Sequence, residues 1–342
     1  MSRLPTAVLI GGAILLLAWL LTGRRRLGRR PEGWSRAPIV SLGSRRTEAI
    51  GRYTLERLRQ AGIRIPANNR LERAVRLLND ANTGRKVLAG TDTGLLQRVT
   101  AAQWTIMEQF TIASALIKDD GSIPAGTKHS LELMLGGPDT PDVERKPLAR
   151  NIQFELYTAS LLMLGGFPVR FAEPDVRIFL NGEDVGVACK RVRGDRGVKD
   201  RTKEAVHQIR RAGGRGIVAV NVDLLIQDHG LAGSTAERGA AFDRRLAKLH
   251  QLDEELMHAP EVLGRIALGH VAVWHLDQDP PRLEMGAFRQ FRFFPGNDAE
   301  EAAINEIFAR FQRRLATRLG ERSERSVQSL LQKLIDVVRR LT

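Results

Sequence analysis

The sequence predicts an α/β fold built on a mixed sheet, preceded by a single transmembrane helix and a helical region. Three observations predict it. From Leu4 to Thr22 the chain carries no charged residue and is rich in Leu, Ile, Ala and Val, about the length that crosses a hydrocarbon core as a helix. Apolar residues at helical spacing then recur between Thr47 and Leu135. After Pro147 the order of elements becomes helix, three strands, helix, strand, which defines an α/β core with a mixed sheet.

The first element carries a direction. Trp19 sits near one end, where an interfacial ring would lie, and Arg24, Arg25, Arg26, Arg29 and Arg30 follow directly, against Arg3 alone on the other side. That asymmetry places the C-terminal flank in the cytoplasm, so the expected location is the inner (cytoplasmic) membrane, single-pass, with the C-terminal domain in the cytoplasm. A cleaved signal peptide is the competing reading, but its basic residues would precede the apolar stretch. Residues 1–30 are therefore expected to form an anchor with a basic flank, and residues 31–45, with Pro31, Gly33, Pro38 and Gly43, a linker.

The charge balance divides accordingly. Among 342 residues, 53 Lys+Arg against 39 Asp+Glu give a net charge of +14. The six arginines before Glu32 account for part of it through topology, and the rest points to a polyanionic partner. Aromatic residues make up only 5%, fewer than a base-stacking sheet or groove would usually carry. The single cysteine, Cys189, excludes an internal disulfide framework and any Cys-rich zinc site.

Residues 46–146 read as a helical region, with helices over Thr47–Ala61, Asn69–Ala81, Leu95–Ile117 and Lys128–Leu135. Its charged side chains read as solvated helix faces and show no catalytic constellation. The break at Gly136-Gly137-Pro138-Asp139-Thr140-Pro141 separates it from an α/β domain over 147–297. There a helix, Leu148–Leu164, leads into strands Pro168–Ala172, Asp175–Leu180 and Val185–Arg191. A basic helix, Val198–Arg211, and an apolar strand, Gly216–Asn221, follow. Beyond them come a helix, Ala236–Met257, and strands Arg265–Trp274 and Arg289–Phe294. Residues 298–342 form C-terminal helices over Asp298–Leu319 and Glu321–Leu341, expected to pack on the core or on a second subunit as a homodimer.

Asn181-Gly182 between two alternating runs is a strong hairpin signal. A two-residue turn pairs Leu180 with Glu183, Asp175 with Ala188 and Glu173 with Lys190. Val176, Ile178, Val185, Val187 and Cys189 then share a core face, while Asp175, Ala188 and Lys190 share the other. On the preceding helix, Glu155 is the only charged residue between Ile152 and Leu164, on a stripe with Ile152, Ala159 and Leu162. A carboxylate there is costly to bury unless it is paired, hydrogen-bonded or bound to a metal.

Glu155 on a helix, Pro174-Asp175 opening a strand, Val187-Ala188-Cys189-Lys190-Arg191 on the next strand and Gln208 on a basic helix together resemble the core of the PD-(D/E)xK restriction-endonuclease-like nuclease superfamily. The resemblance covers about 150 to 225. It implies a restriction-endonuclease-like core and a Mg²⁺-dependent deoxyribonuclease. Asp175 would be the central metal ligand, Lys190 the catalytic lysine and Glu155 the helix-borne carboxylate. The backbone carbonyl of Cys189 would be a further ligand, and Gln208 the polar residue of the following helix. One departure is plain: Ala188 stands where the family usually has Glu or Asp, so Glu155 or Glu173 would have to supply the second carboxylate.

Beside this motif lie Arg191, Arg193, Arg196, Lys199, Arg201, Lys203 and Arg211, suited to neutralising a phosphate backbone without reading bases. Gly194 and Gly197 suggest a mobile loop within that stretch. Other signals count for less. His275, Asp277 and Asp279 before Pro280-Pro281 read as a polar turn, and His129, His229, His250, His258 and His270 show no ligand spacing. No P-loop and no G-x-S-x-G elbow occurs.

The leading expectation is a membrane-anchored, metal-dependent phosphodiester-hydrolysing nuclease acting on DNA. The first alternative is a catalytically inactive nuclease-fold protein binding nucleic acid or a protein partner at the membrane. The second is a scaffold tethered through residues 4–22 that binds anionic lipid.

Overall fold

Asn69 begins a helix because its side chain accepts the Glu72 N–H at 3.0 Å, closing the first turn as an N-cap does. That helix, α2 (Arg70–Asn82), packs with α1 (Ser44–Gln60) and the long α3 (Thr93–Leu116) into a helical layer. The short α4 (Lys128–Leu133) leads to α5 (Leu148–Leu164), which α3 also covers. In the computed structural model, residues 44–83, 93–139, 147–180, 182–192, 194–223, 247–275, 282–294, 309–311, 313, 314 and 317 are described.

Among the described residues the sheet has six strands: β1 (Val169–Arg170), β2 (Val176–Leu180), β3 (Glu183–Arg191), β4 (Gly216–Asn221), β5 (Val262–His275) and β6 (Arg282–Phe293). They lie side by side in chain order. β1, β2 and β3 run antiparallel, β3, β4 and β5 parallel, and β5 and β6 antiparallel again. The helix α6 (Gly194–Arg211) crosses over between β3 and β4, and a helix α7 over residues 247–257 precedes β5.

Period-two alternation sorts the strands between two cores. Ile178, Val187, Cys189, Ile217, Ala219, Ile266 and Leu268 face α5 and join the apolar residues of the helical layer in one continuous core. Ala188, Val218, Val220 and Ala267 face the other way, against Ala205 and Ile209 of α6 and Leu249, Leu252 and Leu256 of α7. β4 is buried on both faces, which explains its unbroken apolar run, GIVAVN. Within the second core, Arg265 and Asp253 are almost fully buried and pair bidentately, with Arg292 adding a 3.0 Å contact to Asp253.

The expected fold class needs correction. The architecture is a mixed α/β arrangement with a six-stranded sheet, and no helix among the described residues is long and apolar enough to cross a membrane. Even α3, with 24 residues, carries Arg98 and Glu108 and is used as a core helix. Residues 4–22, on which the transmembrane helix was expected, lie outside the described residues, as do the 31–43 part of the linker and most of the C-terminal helices. Phe311 is an exception within that last segment, buried against Phe167 and Phe291.

Several boundaries also move. α6 begins at Gly194, four residues before the expected Val198, so the stretch with Gly194 and Gly197 is helical rather than a loop. β6 begins at Arg282 rather than Arg289, because it pairs with β5 from His275–Arg282 to Gly264–Phe293. The hairpin register matches its expectation: Leu180 opposes Glu183 and Val176 opposes Val187.

Candidate functional site

β3 and β4 end together, at Arg191 and Asn221 opposite Leu268 of β5, and charged side chains gather at this carboxyl edge, where open α/β sheets hold their ligands. Asp175 lies one residue before β2, beside the end of β3. Its Oδ2 accepts the Cys189 N–H at 2.7 Å, which fixes the carboxylate on the edge of the sheet. Pro174 packs over Gly186, where an added Cβ would lie 2.7 Å from the proline Cδ, so glycine is required for this approach.

Lys190 follows on β3 and is buried to 7% exposure, its Nζ 3.3 Å from Glu204 of α6. Glu155 reaches the same place from α5, on the opposite layer. Burial, then the charge of Asp175, pushes its pKa up to about 7, and Lys190 partly offsets them. Burial also raises Asp175, to about 6, against the lowering effects of the Cys189 N–H and Lys190. Glu204 stays below its usual range because Arg201 and Lys190 together outweigh its burial.

Glu155, Asp175 and Lys190 thus share one electrostatic neighbourhood. Glu173 is exposed and close enough to push Asp175 upward. Cys189 turns its side chain into the first core, where burial raises its thiol well above the ordinary range and leaves it unsuited as a nucleophile. Ala188 is fully buried in the second core, so a carboxylate at that position would face apolar side chains.

The basic residues separate. Arg191, on the face opposite Lys190, lines a cavity of about 30 Å³ together with Arg150, Gln153, Asn221 and Asp223. Lys199, Arg201, Lys203 and Arg211 are exposed along α6, with Arg201 paired to Glu204 at 2.6 Å. Gln208 is half-buried, and its Oε1 has no hydrogen-bond partner. Arg193 and the side chain of Arg196 lie outside the described residues.

A second cluster at the same carboxyl edge was not legible as a site. Glu108 of α3, Asp223 after β4 and His270 of β5 bring ligand-type atoms within 4.8 Å of one another, the one such group of three among the described residues. The His270 backbone N–H donates to Asp223 Oδ1 at 2.6 Å, and the ring Nδ1 lies 3.2 Å from Asp223 Oδ2. The other ring nitrogen, Nε2, is 3.8 Å from Glu108 Oε1. Trp104 stacks on the imidazole, with ring centroids 5.1 Å apart. Burial works against the imidazolium, but Asp223 and Glu108 outweigh it and raise the His270 pKa. Burial likewise opposes the Asp223 carboxylate, which His270 and Asn221 nevertheless hold below its usual range.

The helical region therefore does contribute to a polar centre. Glu108 is the only acid on α3, the same signal that marks Glu155 on α5. Asp175, Glu155, Glu173 and Cys189 do not form a comparable group of three ligand atoms. No family model, no curated protein and no solved structure matches this chain.

Proposed function

We propose that the chain hydrolyses phosphodiester bonds with a divalent metal ion, with DNA as substrate, at the centre formed by Asp175, Glu155 and Lys190. One observation carries this reading: Asp175 is anchored by the Cys189 N–H at the end of β3, beside a buried lysine and within electrostatic reach of a second half-buried carboxylate. The resemblance of the residue pattern to PD-(D/E)xK nucleases supports it.

The donor set fits Mg²⁺. Two carboxylates supply hard oxygen ligands, and Mg²⁺ is commonly held by one or two carboxylates while water and substrate phosphate fill the remaining positions. Bound there, the ion would polarise a phosphoryl oxygen and make a coordinated water more acidic. Glu155 and Asp175 would hold it, with the Cys189 carbonyl as a further candidate. Asp175 keeps its orientation through the N–H bond. Lys190 offers an ammonium to charge developing on the phosphate, after exchanging its contact with Glu204. Lys199, Lys203 and Arg211 on α6 offer sequence-independent contacts to the backbone.

A second reading, nucleic-acid binding without cleavage, is favoured by Ala188, whose buried position lacks the second motif carboxylate. Plasmid cleavage by the full chain in Mg²⁺ or Mn²⁺ separates the two. The expected result is metal-dependent nicking that Asp175→Ala and Lys190→Ala each reduce by about a hundredfold or more. Absence of cleavage on double- and single-stranded substrates, with salt-sensitive DNA binding retained, would establish the second reading instead.

A further inference from the structure

We propose that Glu108 and His270 bind a first-row divalent transition-metal ion, with Asp223 orienting the histidine. This centre is separate from the Asp175 group and does not depend on that group's chemistry.

The spacing of the donors is the first support. His270 Nε2 and Glu108 Oε1 stand 3.8 Å apart, too far for a hydrogen bond. Two donors each about 2.1 Å from one ion lie no more than about 4.2 Å apart, so the gap suits two ligands of a single ion. The bidentate approach of Asp223 to the other side of the ring, at 3.3 and 3.2 Å from Nδ1, leaves Nε2 as the nitrogen facing Glu108. A carboxylate behind a ligating histidine is the common means of fixing its tautomer and ring plane.

The hydrogen bonds behind these groups give a second, independent support. Gln153 Nε2 donates to Glu108 Oε2, so Oε1 is the oxygen turned toward the ring. Gln153 is itself held by Arg70 and Gln109. Asp223 Oδ2 accepts from Asn221 Nδ2 at 3.0 Å, and Asp223 Oδ1 accepts the His270 N–H. Glu108 is thus held by a donor from α5, and Asp223 by donors from Asn221 of β4 and the backbone of β5. The cavity of about 30 Å³ that Glu108 and Asp223 share with Arg150 and Arg191 has room for one or two waters on the Glu108 side of the centre.

The donor chemistry selects the ion class. An imidazole suits Zn²⁺, Co²⁺, Ni²⁺ or Fe²⁺ better than Mg²⁺ or Ca²⁺, and the absence of thiolate from this group argues against Cu⁺. The two centres therefore differ in kind, one built on oxygen donors alone and one on mixed nitrogen and oxygen donors.

The test uses the full chain freed of metal by a chelator. One equivalent of Co²⁺ is expected to give visible d–d absorption that Zn²⁺ displaces, and Zn²⁺ is expected to raise the melting temperature reversibly to EDTA. Glu108→Gln, which preserves shape and the neighbouring hydrogen bonds, is expected to lose both responses while melting near wild type without metal. His270→Gln is the second variant, read by the same Co²⁺ spectrum. Asp175→Asn, which removes a carboxylate of the other centre, is expected to retain both responses. Absence of both responses in the wild-type chain, or their persistence in Glu108→Gln and His270→Gln, would overturn the proposal. Their loss in Asp175→Asn would assign the ion to the other centre and overturn it equally.

Discussion

Glu155 sits between two influences that oppose its charge, burial and the Asp175 carboxylate, with Lys190 acting in its favour. Its folded-state pKa of about 7 lies above the ordinary 4.5, so the folded chain holds this proton more tightly than the unfolded one. Stability from this group is fully present below about 4.5 and is lost as the pH rises through about 7. Urea midpoints of the chelated protein across that window are expected to fall with rising pH, and Glu155→Gln is expected to flatten the fall. A slope unchanged in the variant would show that Glu155 does not carry it. The residue was legible because it is the lone charge on an apolar stripe. Glu108 bears the same mark on α3, but its partners, Asp223 and His270, come from elements distant in the chain. Only the convergence of α3, the end of β4 and the middle of β5 reveals why that acid is there.

Among the elements, the hairpin β2–β3 was the most readable, because a two-residue turn fixes register and register fixes faces. The helix α5 was equally plain, spanning Leu148–Leu164 as expected. The start of α6 was hidden by Gly194 and Gly197, whose low helix propensity tertiary contacts override. The buried pair Arg265–Asp253 was also unreadable, since its partners lie on β5 and α7 and a charged residue on a strand ordinarily signals exposure. Asp253→Ala would strand the Arg265 guanidinium inside the second core and is expected to cost about 3–5 kcal/mol in chemical denaturation. At the N-cap of α2, Asn69→Ala is expected to cost about 1 kcal/mol. At the end of α5, a Cβ on Gly165 would fall 1.7 Å from a Phe311 ring carbon. Gly165→Ala is therefore expected to displace Phe311 and expose the 309–311 segment to limited proteolysis, whereas an unchanged cleavage pattern would show that the ring can move aside.

Across the whole molecule, the first core runs without interruption from Ile50 in α1 to Leu268 in β5. The helical layer supplies one wall of that core and Glu108 of the polar centre, so its removal would leave the apolar surface of α5 uncovered. A chain beginning at residue 147 is expected to fail to fold as a soluble monomer, and its recovery with a wild-type melting profile would show that the sheet side is self-sufficient. The net charge of +14 has also acquired places. Exposed cations lie along α6, the helix whose Glu204 meets Lys190, while Arg191 lines the cavity beside Glu108 and Asp223.

The strands of the sheet lie in the order in which they occur in the chain, from β1 to β6. Among the described strands none inserts between two that precede it in the chain, so the sheet can grow by addition at one edge. Chain order thus permits each strand to be added to the edge formed by the one before it. In that order the group of Glu108, Asp223 and His270 is complete once β5 brings His270 to the helical layer and the β4 terminus, before β6 is added.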